Sequence, residues 1–166
     1  RRRRPARHRQ LGRIGAGLAL WLVLVGAVLT PVTLAVHRSP PFFTPAQFLA
    51  LDWVNIATFA GLVSAGIALR RDTAWHRRLM LCATICVIAP AWGRILVIAG
   101  MMSPWHNTFA LLGYLGIAML ADLRIRGRVH PAYGVGLAAI TAMGSAIQLL
   151  TTFPPLVRYA GTLVAG

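Results

Sequence analysis

The sequence predicts an all-α fold, a polytopic integral membrane helix bundle with five transmembrane helices and a cytoplasmic N-terminus. Hydrophobic residues make up 57% of the 166-residue chain and charged residues only 12%, about half of the roughly 25% found in soluble domains. All 17 basic residues are arginines: seven precede the first apolar segment, four follow the second and three follow the fourth. Arginine near a span resists translocation, so this alternation predicts which connections lie in the cytoplasm.

Five apolar segments carry the predicted spans. The first three exceed the roughly 20 residues needed to cross the hydrocarbon core. The fourth is short, so it would sit nearly upright or extend into Pro104 and Asp122, and the fifth is rich in glycine; four to six spans are therefore compatible with the pattern. The segments cover residues 14–36, 46–69, 79–102, 105–121 and 132–151.

The arginine blocks divide the chain into three parts. Residues 1–13 form a basic cytoplasmic tail, residues 14–151 a single transmembrane bundle, and residues 152–166 an external or interfacial C-terminal tail. The first apolar run is longer than the 7–15 residues usual in a signal peptide, which favours a retained span. Short connections between spans predict that neighbours in sequence are antiparallel neighbours in space.

Small residues and prolines predict how the spans pack. Gly61 and Ala65 stand four residues apart, and the fifth span is rich in glycine and alanine; both patterns allow the close backbone approach on which helix association in lipid depends. Pro31 and Pro90 lie inside spans one and three. We expect both to kink their helices and to expose carbonyl groups that need hydrogen-bond donors.

Asp52, Asn55 and Arg94 form a predicted intramembrane polar site. Asp52 lies about 9 Å into the second span and Arg94 about 12 Å into the third from the same side, at 1.5 Å per residue. A charge inside a span tends to pair or to face a cavity. We therefore expect an Asp52–Arg94 ion pair, with Asn55 one turn away from Asp52. The pair acts either as a brace between the two helices or as a binding pocket.

Four histidines form a second set of candidate ligands. His37 and His106 fall at the outer ends of spans, and His76 and His130 at the inner ends. Two histidines on each side could act as axial ligands in a two-haem cytochrome, with haem b as cofactor. Histidines at span boundaries are also commonly hydrogen-bonded to headgroups and helix ends, and both readings stay open here.

No motif predicts catalysis or a metal site. Cys82 and Cys86 share a helix face, but two thiols are an incomplete zinc site, and small apolar packing explains them. The chain has three aspartates and no glutamate, which argues against acid–base hydrolysis. Whether the protein is an enzyme stays open, and the sequence favours a non-enzyme.

Two stretches carry a resemblance to known proteins. RRDTAWHRRLMLCATICVIAPAWGRIL combines a basic loop, an H-[K/R]-R-L-M start and a distal arginine, and ADLRIRGRVHPAYGVG combines an acid with a basic G-R-x-H-P turn. Both are similar to segments of small, uncharacterised bacterial multi-pass membrane proteins. The resemblance implies a bacterial inner-membrane protein and marks eight residues, four of which, Arg77, Arg78, Asp122 and Arg128, form a predicted inner-face motif. The eight residues are His76, Arg77, Arg78, Arg94, Asp122, Arg128, His130 and Pro131.

Three function classes remain. The first is a non-enzymatic membrane subunit or scaffold that packs against other membrane proteins, lipids or pigments. The second is a haem- or quinone-binding redox module using the histidines, and the third is a small transporter or sensor with its site at Asp52 and Arg94. Of these the first is favoured, because the chain has abundant small-residue faces and few titratable groups. The expected partners are anionic headgroups at the cytoplasmic face and other membrane subunits, whereas nucleic acid is disfavoured because the charges flank spans.

Overall fold

The computed structural model describes residues 5–101 and 103–165, which form seven α-helices and no strand. The predicted all-α fold class is confirmed. α3 and α4 are separated by a single residue and together make one span, so the described residues hold five spans long and apolar enough to cross a membrane. The helices are α1 (Pro5–Ala35), α2 (Pro45–Ala68), α3 (Thr73–Val87), α4 (Ala89–Ile98), α5 (Pro104–Arg126), α6 (Ala132–Thr151) and α7 (Pro154–Ala165).

Two helices extend beyond the predicted apolar segments, because capping residues set where they begin or end. α3 begins at Thr73, six residues before the predicted start of its span, because the Asp72 carboxylate accepts hydrogen bonds from the Ala74 and Trp75 amides at 2.8 and 3.2 Å. α5 continues to Arg126 and ends at Gly127, whose φ of 70° is the left-handed conformation that glycine adopts readily. The helix of the fourth span therefore has 23 residues, and it includes Pro104 and Asp122, as the second of the two predicted alternatives requires.

The core is formed where α2, α3, α5 and α6 meet. Cys82 and Cys86 are free thiols in this core with no exposed surface, in agreement with their prediction as small apolar packing residues. α1 packs along α2 at one side: a Cβ on Gly26 would stand 2.5 Å from Ile56 Cδ1. Most of the large apolar side chains of α1 are exposed on the bundle surface, where a membrane protein meets lipid.

Two glycines bring α6 close to its neighbours. Gly136 lies against Cys82 of α3, and a Cβ on Gly144 would stand 2.5 Å from Thr108 Oγ1 on α5. Gly134, on the same helix, has open space around it. The small residues of the fifth span therefore serve packing inside the bundle at two positions and leave other parts of that helix on the surface.

Pro31 and Pro90 each leave one carbonyl group without its helical hydrogen-bond donor. Side chains of α2 donate to both of these carbonyl groups. Pro90 separates α3 from α4 at Ile88 and cannot donate to Cys86 O four residues earlier; the amide of Asn55 donates to that oxygen at 3.1 Å. Pro31 lies within α1 and likewise cannot donate to the Ala27 carbonyl, which the indole of Trp53 reaches at 3.3 Å. The predicted need for substitute donors is thus met by two side chains that are close together on α2.

The C-terminal helix α7 folds back onto α1 and α2. Ala160 is buried beside Leu34 and Leu49, and the Tyr159 ring lies 6.0 Å from that of Trp53. His37 Nε2 donates to the Val164 carbonyl at 2.9 Å. The described part of residues 152–166 therefore packs on α1 and α2, and its external or interfacial location stays a prediction.

We predict that Asn55 stabilises the fold through the carbonyl that Pro90 frees. Asn55→Leu should lower the free energy of unfolding by about 1–3 kcal/mol, because it removes the side-chain donor of a buried carbonyl group. In a Pro90→Ala background the residue 90 amide can bond to Cys86 O, so the same substitution should cost less. Unfolding of the four proteins in mild detergent, followed by tryptophan fluorescence, measures this coupling. Equal costs in both backgrounds would contradict the assignment.

Candidate functional site

The most strongly bonded polar cluster lies at the end of the bundle that the arginine pattern assigns to the cytoplasm. Arg78 of α3 and Asp122 of α5 are 2% and 7% exposed. Arg78 Nη2 lies 2.6 and 2.7 Å from the two carboxylate oxygens, and Arg78 Nε donates to Oδ2 at 3.0 Å. Arg126 adds a contact of 3.3 Å to the same carboxylate. Forked arginine–carboxylate bonds of this kind are short and directional.

The surrounding residues complete the bonding of this pair. Arg78 Nη1 donates to the Ala74 carbonyl at 3.0 Å, and the guanidinium lies 5.8 Å from the ring centre of Tyr133. The pair therefore links α3, α5 and the start of α6. A carboxylate with its oxygens this fully engaged acts as a tie between helices rather than as a proton acceptor.

His130 lies beside this cluster, in the connection between α5 and α6. The Ala132 amide donates to its Nδ1 at 3.2 Å, which puts the proton of the neutral ring on Nε2. The ring lies edge-on to Trp75, 5.3 Å between centres. Burial, helped by the neighbouring Arg78 guanidinium, lowers the pKa of His130 below its ordinary value, so the folded protein favours the neutral form.

Only two of the four residues of the inner-face motif contact each other in the structure. Arg78 and Asp122 are brought together, whereas the Arg77 and Arg128 side chains are exposed. The pairing was not predicted from the sequence, although both residues were placed on the same side. A signal was available: Arg78 lies near the start of α3 and Asp122 near the end of α5, and the topology brings these two ends to one side of the bundle.

Asp52 and Arg94 do not form the predicted ion pair. Within the described residues both ion pairs involve Asp122. Asp52 accepts a hydrogen bond from Thr30 of α1 at 3.1 Å, and Arg94 donates to the Pro90 carbonyl at 3.1 Å. The prediction of a direct pair is wrong, because depth in the membrane says nothing about the direction in which a side chain leaves its helix.

The three residues of the predicted polar site nevertheless border one cavity. Asp52, Asn55 and Arg94 line a space of about 70 Å³ beneath Phe42 and Phe43. Asn55 is buried and bonded to Cys86 O, so its main contact is structural. Whether this cavity binds a ligand stays a prediction.

Three of the four predicted histidine ligands contact nearby backbone or aromatic groups, whereas His106 Nδ1 is buried without a hydrogen-bond partner among the described residues. His76 Nδ1 donates to the Gly66 carbonyl at 2.7 Å, and its ring lies 6.5 Å from that of His8. His106 lies in the first turn of α5. Among the described residues, no three histidine, cysteine or acidic side chains come close enough together to hold a metal ion. Haem ligation by His37, His76, His106 or His130 stays a prediction.

Comparison of the chain with protein-family models, curated proteins and solved structures finds no match. The five long apolar helices establish a multi-pass membrane protein on their own. The similarity to small bacterial membrane proteins, and with it the inner-membrane location, stays a prediction.

We predict that loss of the buried ion pair destabilises the bundle strongly. Arg78→Gln should lower the free energy of unfolding by about 3–5 kcal/mol, because it leaves the Asp122 carboxylate buried without its main partner. Arg77→Gln removes the same charge from the exposed neighbouring position and should change stability by less than about 0.5 kcal/mol. Unfolding in mild detergent compares the two. A similar effect of both substitutions would show that net charge, rather than the pair, matters.

We predict that acid destabilises the fold through His130. Its lowered pKa means that the unfolded chain binds the proton more tightly, so the stability is present above pH ~6.5 and is lost as the pH falls through the lower folded value. His130→Asn can still accept from the Ala132 amide but does not titrate. Its unfolding midpoint should therefore vary less between about pH 7.5 and pH 5. An unchanged pH profile would remove His130 as the source.

Proposed function

We propose that this protein is a non-enzymatic integral membrane subunit or scaffold of the bacterial cytoplasmic membrane, which packs against other membrane proteins, lipids or pigments. Its multi-pass membrane character follows from the five long apolar helices. The described acids support a structural role: Asp72 caps α3, Asp122 ties helices together and Asp52 bonds to Thr30. The arrangement thus uses its few carboxylates to build the bundle.

An open groove between α2 and α6 carries the proposal. It has a volume of about 410 Å³ and is lined mainly by small apolar side chains, among them Gly61, Ala65, Ala139 and Ala142. A Cβ on Gly61 would meet nothing within 4 Å, so the α2 backbone is accessible at that point. The one hydroxyl in the groove, on Thr58, already donates to the Val54 carbonyl at 2.8 Å.

A transmembrane helix of another protein fits this groove best. Helices associate in lipid by close backbone approach at small residues, since the hydrophobic effect does not distinguish a partner helix from a lipid tail. Gly61 and Ala65 are on the same face of α2, and Ala139 and Ala142 offer a matching wall on α6. The groove has no charged lining residue, which suits an apolar helix surface and not a polar substrate.

We predict that the protein is purified together with a stoichiometric membrane partner. Gly61→Leu with Ala142→Leu fills the groove and should release the partner while leaving the unfolding midpoint of the protein unchanged, since both positions border open space. Gly113→Leu places the same bulk at an open position on α5 and should retain the partner. Solubilisation in mild detergent followed by native mass spectrometry compares the three forms.

A lone monomer from the wild-type chain, or a partner kept by the groove variant, would contradict the proposal. The second candidate, a small transporter or sensor, would then be the stronger one. It is supported by the cavity that Asp52, Asn55 and Arg94 share. A polar cavity inside a span is the usual setting of an ion or substrate pathway.

A further inference from the structure

A basic cleft opens between the start of α1 and the α2–α3 connection. Its volume is about 500 Å³, and four of its lining residues carry guanidinium or imidazole groups: His8, Arg13, Arg70 and His76. Its remaining wall is small or apolar and includes Ala16 and Ile67. This cleft is separate from the Arg78–Asp122 pair and from the cavity at Asp52.

The cleft exists because the first turns of α1 stand away from the bundle. A Cβ added at Gly12 or Gly15 would meet nothing within 4 Å, whereas Ala19, one to two turns later, packs against the core. Two turns beyond that, Gly26 touches Ile56 of α2. α1 and α2 therefore diverge toward the end of the bundle where Arg13 and Arg70 lie.

The positive groups in the cleft lack a carboxylate to neutralise them. Both ion pairs among the described residues are made by Asp122, which leaves Arg13 and Arg70 without an acidic partner within 4 Å. Asp72, the acid nearest in sequence, is bonded to the first amides of α3. Two positive side chains facing one space repel each other, and a bound anion removes that repulsion.

Backbone contacts hold two of these groups at the cleft. Arg70 Nη1 donates to the Ile67 carbonyl at 3.1 Å, which leaves other guanidinium donors for a ligand. His76 Nδ1 donates to the Gly66 carbonyl at 2.7 Å, so Nε2 is the ring nitrogen outside that bond. In the imidazolium form, the Nε2–H group can donate a hydrogen bond to a phosphate oxygen.

We propose that this cleft binds the phosphate group of an anionic glycerophospholipid. Arginine guanidinium groups match phosphate oxygens in both charge and geometry. Arg13 and Arg70 lie at the ends of spans, the depth at which headgroups lie, while Ala16 and Ile67 belong to the spans themselves. A ligand with a phosphate beside the arginines and an acyl chain along the apolar wall uses both features, whereas free phosphate uses only the first.

Lipid retention by the purified 166-residue chain tests the proposal. Native mass spectrometry in mild detergent, with added phosphatidylglycerol or phosphatidylcholine, should show one tightly retained phosphatidylglycerol. Arg13→Gln with Arg70→Gln should weaken its retention by about 30-fold, since each arginine near an anionic surface contributes about fivefold. Arg71→Gln with Arg124→Gln removes the same charge from exposed positions that do not line the cleft and should retain the lipid.

Three results would overturn the proposal. Equal weakening by both double variants would show general surface attraction instead of a site. Equal retention of phosphatidylcholine would remove the preference for an anion. Displacement of the lipid by millimolar inorganic phosphate would indicate a site for a free anion. The unfolding midpoint of each variant verifies that the bundle is intact, and none of these results depends on whether a partner helix occupies the groove between α2 and α6.

Discussion

Inside a bilayer, a carbonyl group that loses its helical donor has no water to replace it, and this constraint makes α2 the central helix of the structure. Pro31 and Pro90 each free one carbonyl, on α1 and on the α3–α4 span. Trp53 and Asn55 of α2 donate to these two oxygens. The two bonds fix how α2 is rotated against both neighbours, and the direction of every other side chain on α2 follows from that rotation.

That rotation decides the surfaces available for binding. It points Asp52 toward Thr30 on α1 and places Gly61 and Ala65 at the open groove beside α6. At the opposite end of the bundle, the Arg78–Asp122 pair ties α3 to α5. The bundle is thus held by these polar bonds and by the close contacts of α6 at Gly136 and Gly144. The first turns of α1 stand away from this core, and the basic cleft is the space that results.

The number and approximate bounds of the spans could be predicted from the sequence because they depend on apolar length, a property that adds along the chain. The contacts of the site depend on how each helix is rotated about its own axis. The spacing of residues along the sequence does not determine that rotation. Asp52 and Arg94 have similar depths, yet they bond to Thr30 and to Pro90. The pattern identified the carbonyl that Pro90 frees but not its donor, because several polar residues on α2 lie at a suitable depth.

The imbalance between arginine and aspartate connects the fold to its surroundings. With three acids against 17 arginines, and each acid already engaged within the bundle, most of the positive charge has no counter-charge in the described chain. Exposed arginines in water are neutralised by mobile ions at little cost, but Arg13 and Arg70 border a cleft whose wall continues into the span. The ligand that we propose there is an anion that is itself held in the membrane. The same shortage of acids that argues against hydrolytic chemistry therefore favours a protein whose ligands are lipids and other helices.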